Sequence, residues 1–116
     1  MNAQIGHNSH GLDVDRLVHQ LEQAGFEWAD AKAAADALED SRKSVLSEAL
    51  LASEGRTVGE REAQALTHPK YQAHLSALDT SRRRSNRARV KYDVEQVRID
   101  LLRTNAANDR VLMGMR

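Results

Sequence analysis

Between Arg82 and Lys91 the chain places five arginines and one lysine in ten residues, Arg-Arg-Arg-Ser-Asn-Arg-Ala-Arg-Val-Lys. Guanidinium groups keep their charge at every accessible pH, so this cluster moves no protons. What it can do is bind anions: carboxylates or phosphates, often through two parallel hydrogen bonds. Three readings are open: a solvated helix face, a surface for nucleic acid, or a surface for an acidic protein. Ser81 and Ser85 flank the cluster, but no general base accompanies them. The five histidines, at 7, 10, 19, 68 and 74, stand in no triad-like arrangement with a carboxylate and a nucleophile. His7, His10 and Asp13 could be drawn as metal ligands, although a solvated tail is the simpler reading of that region. His68 and His74 read as surface or packing residues. The nucleophile elbow, the phosphate-binding loop and the zinc-protease helix motif are all missing. The sequence points to binding rather than catalysis, with no cofactor.

The elements that carry these residues are helical. Aromatic residues make up 3% of the 116 positions and hydrophobic ones 41%, and there is a single proline. That composition disfavours a β-sandwich, which draws on Val, Ile, Tyr and Phe in alternation. A chain of this length forms one domain at most. Cysteine is absent, so there are no disulfides or thiolate metal sites, as suits a reducing cytoplasm. No apolar run approaches the ~18 residues of a membrane span, and the N-terminus has no signal-peptide pattern. Formal net charge is zero, but residues 1–55 carry ten acidic and four basic side chains, against seven and thirteen in residues 56–116. Two halves of opposite sign suit a chain folded back on itself.

Met1 to Gly11 is polar and aperiodic, and is expected to be a flexible tail. Its segment Ile5-Gly-His-Asn-Ser9 resembles a leader found on small all-α accessory proteins of alphaproteobacterial phages and prophages. A similar leader occurs on phage relatives of the DNA-binding coiled-coil protein GapR, whose body is not matched here. The resemblance covers five residues and implies a phage-encoded protein working in the cytoplasm of a host cell. Host-defence components such as CRISPR effectors, or recombination proteins, are the partner classes it brings forward.

Asp13 is the expected N-cap of a first arm over residues 12–54. Leu17, Ala24, Ala31, Leu38, Val45 and Ala52 recur every seven residues, interleaved with Val14, Leu21, Trp28, Ala35, Arg42 and Ala49. This is a coiled-coil seam with one exception, Arg42. Gly25 is the expected point of a kink or break. Gly55 should close the arm in a left-handed conformation. Thr57-Val-Gly-Glu60 reads as a capping box opening a short helix over 58–66, and Pro69 as the first residue of the last arm, capped by Thr67 or His68. That arm is expected to end near Ala107, with seam rows Tyr71, Leu78, Ser85, Tyr92, Ile99, Ala106 and Leu75, Arg82, Arg89, Gln96, Arg103.

The fold expected is therefore all-α, an antiparallel helical hairpin resembling a coiled coil, with a short connecting helix. Pairing residue i with about 122 − i brings Trp28 to Val94 and Leu21 to Leu101. Asp36, Glu39 and Asp40 then lie beside the arginines, and Arg82 and Arg89 are expected in intramolecular salt bridges. Arg83, Arg84, Arg87, Lys91 and Arg98 fall within an arc of about 100° away from the seam and form the candidate binding stripe. Val90, Val94, Val97 and Leu101 make a separate apolar row, which calls for a third helix or a second subunit. The function expected is that of a non-enzymatic interaction protein engaging a protein partner, and a homodimer. Sequence-nonspecific DNA or RNA binding through the basic stripe is the alternative, and a structural phage component a further one.

Overall fold

The computed structural model describes residues 9–114, with side chains described from Asp13 onward. Four helices follow one another: α1 (Ser9–Asp40), α2 (Arg42–Leu51), α3 (Val58–Leu66) and α4 (Pro69–Gly114). The chain is an all-α antiparallel helical hairpin, with α3 as the short connecting helix. No strand occurs among the described residues, and no helix there is long and apolar enough to cross a membrane. Two compact units divide the described residues: 29–86, which include the turn, and the part of α1 up to Trp28 with the part of α4 from Arg87 onward.

In the turn unit the helices run antiparallel, since Arg42 meets Tyr71 while Glu39 meets Arg82 further along. Its core gathers Ala49, Ala65 and Tyr71, with Val45, Leu46 and Leu75 packed against them. Leu78, Ala31 and Ala35 continue the buried row. The connection is built from side chains acting on backbone. Gln64 Oε1 accepts from the amides of Glu54 (3.0 Å) and Gly55 (3.1 Å). Thr57 Oγ1 accepts from the Glu60 amide (3.1 Å), and Glu60 Oε2 accepts from the Arg56 amide (2.9 Å). This is the expected capping box, reaching one residue further back. His68 caps α4, its Nδ1 accepting from the Lys70 amide at 3.1 Å.

In the second unit Glu27 meets Lys91 and Gly25 packs against Tyr92, again antiparallel. Ala24 and Ile99 are buried, and the rings of Trp28 and Tyr92 lie 5.5 Å apart at 41°.

Several expectations are corrected. The tail was expected to reach Gly11 and Asp13 to cap the arm, yet α1 already includes Ser9 to Gly11. A lone glycine costs about 1 kcal/mol in a helix and does not stop one. Asp13 instead pairs with Arg16 at 3.2 Å. Residues 1–8, with most of the leader and His7, lie outside the described residues, as does the His10 side chain.

Gly25 does not break α1. The Tyr92 ring packs beside it, where a Cβ would make an ordinary contact at 3.4 Å. The break falls at Ser41, next to the one charged residue in the seam. There the Leu38 carbonyl accepts from Ser41 Oγ (3.2 Å) and from His74 Nε2 (2.7 Å), while Arg42 is exposed and Ser41 turns inward. Side chains competing for a helix carbonyl loosen the ladder at that point.

No described glycine has a positive φ, so Gly55 is not a left-handed cap. Its requirement is space, because a Cβ there would stand 2.8 Å from the Arg61 amide nitrogen. The last helix runs seven residues beyond Ala107, to Gly114. Its second inward row is His74, Ser81, Ala88, Glu95 and Leu102, three residues after each member of the first row. Arg82, Arg89, Gln96 and Arg103 are exposed. Trp28 meets Tyr92, two positions before the expected Val94.

Candidate functional site

The charged residues expected to bind are largely answered from within. In the turn unit, Glu39 Oε2 accepts from Arg82 Nη2 at 2.6 Å, the expected cross-helix bridge. Glu39 Oε1 also lies 3.8 Å from Arg42 Nη1, and Arg42 Nε donates to the Tyr71 hydroxyl at 3.4 Å. The hydroxyl contact, the nearby phenol and then Glu39 push the Arg42 guanidinium pKa above its usual value. Asp36 pairs instead with Lys32 (2.9 Å), one turn away on its own helix. Asp40 has no ion pair among the described residues. Arg89, expected to reach across the hairpin, faces Asp93 on its own helix at 4.0 Å. Arg89 stands in the same exposed row as Arg82, but its partner is one turn along its own helix rather than on the acidic arm.

Of the stripe, Arg83 and Arg84 belong to the turn unit, and Arg87, Lys91 and Arg98 to the other. Arg83 is held by Asp79 (3.2 Å), Lys91 by Glu27 (3.0 Å) and Arg98 by Glu95 (3.1 Å). Only Arg84 and Arg87 are left without an ion pair among the described residues. Glu95 is itself in the seam and 7% exposed, and its Oε2 has no hydrogen-bond partner. The Arg83–Asp79 and Lys91–Glu27 pairs, exposed on both sides, contribute about 0–1 kcal/mol each, so they lower the local positive field more than they stabilise the fold.

The apolar row stands uncovered. Val90, Val94, Val97 and Leu101 are 61, 44, 56 and 57% exposed. The first arm provides no third helix for them, because residues 13–24 belong to α1 and turn Leu17, Leu21 and Ala24 inward.

Sequence reasoning missed a groove in the turn unit. Between α2 and α3, Leu46, Ser47, Leu50, Glu62, Ala65 and Leu66 enclose an open cleft of about 340 Å³. Ala65 is buried, Leu50 and Leu66 stand half open, and the neighbouring Leu51 is 87% exposed. A signal for it exists in the sequence: Leu46, Leu50, Leu51 and Leu66 are large apolar residues outside both seam rows. The groove walls are apolar, and Ser47 and Glu62 supply its polar groups. Such a site can take a large apolar side chain, with the Glu62 carboxylate available to an adjoining cation. A smaller cleft in the other unit is lined by Val14, Leu102, Asn105, Ala106 and Asp109. No protein family, curated protein or solved structure matches the chain.

Proposed function

We propose that this chain is a non-enzymatic interaction protein that docks a protein partner at the turn of the hairpin. The observation that carries the reading is the groove between α2 and α3, where Leu46, Leu50 and Leu66 are arranged around buried Ala65 and left open to a ligand. Large apolar side chains clustered on a surface mark an interaction site when they are contiguous rather than scattered. Glu62 on the same lining favours a partner segment with a large apolar anchor next to a lysine or arginine. Partner classes to assay first are host-defence effectors, such as CRISPR nucleases, and recombination proteins, in line with the phage-type leader Ile5 to Ser9. Sequence-nonspecific nucleic-acid binding is supported less, since Asp79, Glu27 and Glu95 already engage three of the five stripe cations.

The test is selection from a displayed peptide library against the intact chain, followed by titration of the peptides recovered. Peptides with a large apolar residue within a few positions of Lys or Arg should be enriched. Leu50→Asp with Leu66→Asp should abolish their binding while circular dichroism stays unchanged, because both side chains are already half open. Converting Glu62 to Lys should weaken it selectively for the basic peptides. The opposite result is tight binding of arbitrary DNA, below about 1 µM at about 150 mM salt, lost in Arg84→Glu with Arg87→Glu but kept in the groove variant. That would replace this reading with the nucleic-acid one.

A further inference from the structure

The row Val90, Val94, Val97, Leu101 follows alternating steps of four and three residues, the spacing of a coiled-coil seam, on the face of α4 away from the hairpin's own seam. Thr104, Asn108 and Val111 continue it, all exposed. From Val90 to Val111 the row is about 31 Å long at 1.5 Å per residue. We propose that a second copy of this chain docks here, its α4 running parallel and in register with the first.

The flanks of the row argue for that occupant and that direction. On one side stand Asp93 and Asp100, on the other Lys91 and Arg98. When two copies pair in parallel, the acidic flank of each meets the basic flank of the other. Asp93 then faces the partner's Arg98, five residues further along, and the symmetric pair forms with it. When they pair antiparallel, Lys91 faces the partner's Arg98 and Asp93 faces the partner's Asp100, so like charges oppose along both flanks. A helix with one charge sign on each flank is therefore complementary to itself in only one direction.

The existing contacts permit the exchange. Arg98 uses Nη1 on its own Glu95, leaving the rest of its five-donor fork free, and Asp93 lies 4.0 Å from Arg89. Asn108 occupies a position equivalent to Val94 and Leu101, where a lone asparagine meets its own copy only in register and selects against slipped pairings. Arg87, one step before Val90 on the row, would face the partner's Arg87 and sets the limit of the interface at that end.

Sedimentation equilibrium of the full chain, from about 1 to 100 µM at low salt, is the first measurement, and a dimer is expected. Val94→Asp with Val97→Asp should give a monomer of unchanged helicity, since both positions are half exposed in the single chain. Direction is read from Leu101→Cys, unambiguous because the chain has no cysteine of its own. In the parallel pair the two thiols meet across the two-fold axis and oxidise readily to a disulfide. In an antiparallel pair centred between Val90 and Leu101, the register that opposes Lys91 to Arg98 and Asp93 to Asp100, they would stand roughly 16 Å apart, beyond the ~7 Å reach of a disulfide. Asp93→Arg should weaken the dimer about tenfold, and adding Arg98→Asp should restore it. A monomer at 100 µM overturns the proposal. So does a dimer indifferent to the two aspartates, or one in which Leu101→Cys fails to cross-link.

Discussion

Gly55→Ala puts the account of the turn at risk most directly. Gly55 has a backbone conformation open to any residue, so alanine meets no dihedral penalty. What it meets is the first turn of α3: the new Cβ would stand 2.8 Å from the Arg61 nitrogen, 2.8 Å from Glu60 Cβ and 2.9 Å from the Glu60 carbonyl carbon. Two of these atoms are backbone. They are also held in place by the capping box, through Thr57 Oγ1 on the Glu60 amide and Glu60 Oε2 on the Arg56 amide. Relief requires either a shift of α3 or loss of a cap, and overpacking of this kind costs about 1–3 kcal/mol. The reduced freedom of the unfolded chain returns about 0.4–1 kcal/mol. The net is a destabilisation of about 1–2 kcal/mol, or a fall in Tm of roughly 3–12 °C for a chain of this size. Gly59→Ala is the matched control. It lies within α3 with nothing inside 4 Å of its Cβ position, so it gains about 1 kcal/mol of helix propensity, and Tm should rise. Thermal unfolding followed by circular dichroism, at one pH and one protein concentration, measures both. If Gly55→Ala is as stable as the parent, or Gly59→Ala is less stable, the steric reasoning is wrong.

Replacing Glu95 by Leu should stabilise the chain by about 1–3 kcal/mol, seen as a higher urea midpoint. The substitution removes a buried carboxylate oxygen that has no partner and fills the same seam position. Gln64→Leu should lower stability by about 1–2 kcal/mol, because the Glu54 and Gly55 amides both lose their acceptor, and hydrogen exchange at those two amides should accelerate. A double-mutant cycle on Glu39 and Arg82 should return a coupling of no more than about 1 kcal/mol despite the 2.6 Å contact, as both side chains are about half exposed. A coupling of several kcal/mol would show that the bridge is far better shielded than its exposure implies.

The first arm was almost fully legible in the sequence. Leu17, Ala24, Ala31, Leu38 and Val45 turn inward, as do Leu21, Trp28, Ala35 and Ala49, because apolar spacing alone determines which face of a helix is buried. The capping box and Pro69 were equally readable, since their signals are chemical and local. On the last arm the row Tyr71, Leu78, Ser85, Tyr92 and Ile99 stood out, but its companion did not. His74, Ser81 and Glu95 occupy inward positions without an apolar signature, so a row one residue later fitted the pattern as well. Of the two cross-arm bridges expected, Arg82 to Glu39 forms, whereas Arg89 pairs with Asp93 on its own helix. The role of Gly55 was hidden for a different reason. Glycine is the same letter whether it serves a positive φ or a close approach, and only the position of Arg61 tells the two apart. The groove at Leu46, Leu50 and Leu66 depends on how α2 meets α3, which periodicity within either helix does not encode.

The hairpin's cross-chain contacts have an ordering in chain distance that bears on how it forms. Gln64 reaches Glu54 across ten residues, Arg42 reaches Tyr71 across 29, Arg82 reaches Glu39 across 43, and Lys91 reaches Glu27 across 64. The entropy lost in closing a loop grows with its length, so the turn is the least costly place to begin. Once it has closed, each later contact shuts only the short stretch beyond the previous one, and the two arms can join progressively like a zipper. Opening should retrace that order. Native-state amide exchange should then be most protected beside the turn and fall away toward the chain ends, and substitutions at Ala49 or Tyr71 should slow folding while those at Ala24 or Ile99 chiefly speed unfolding.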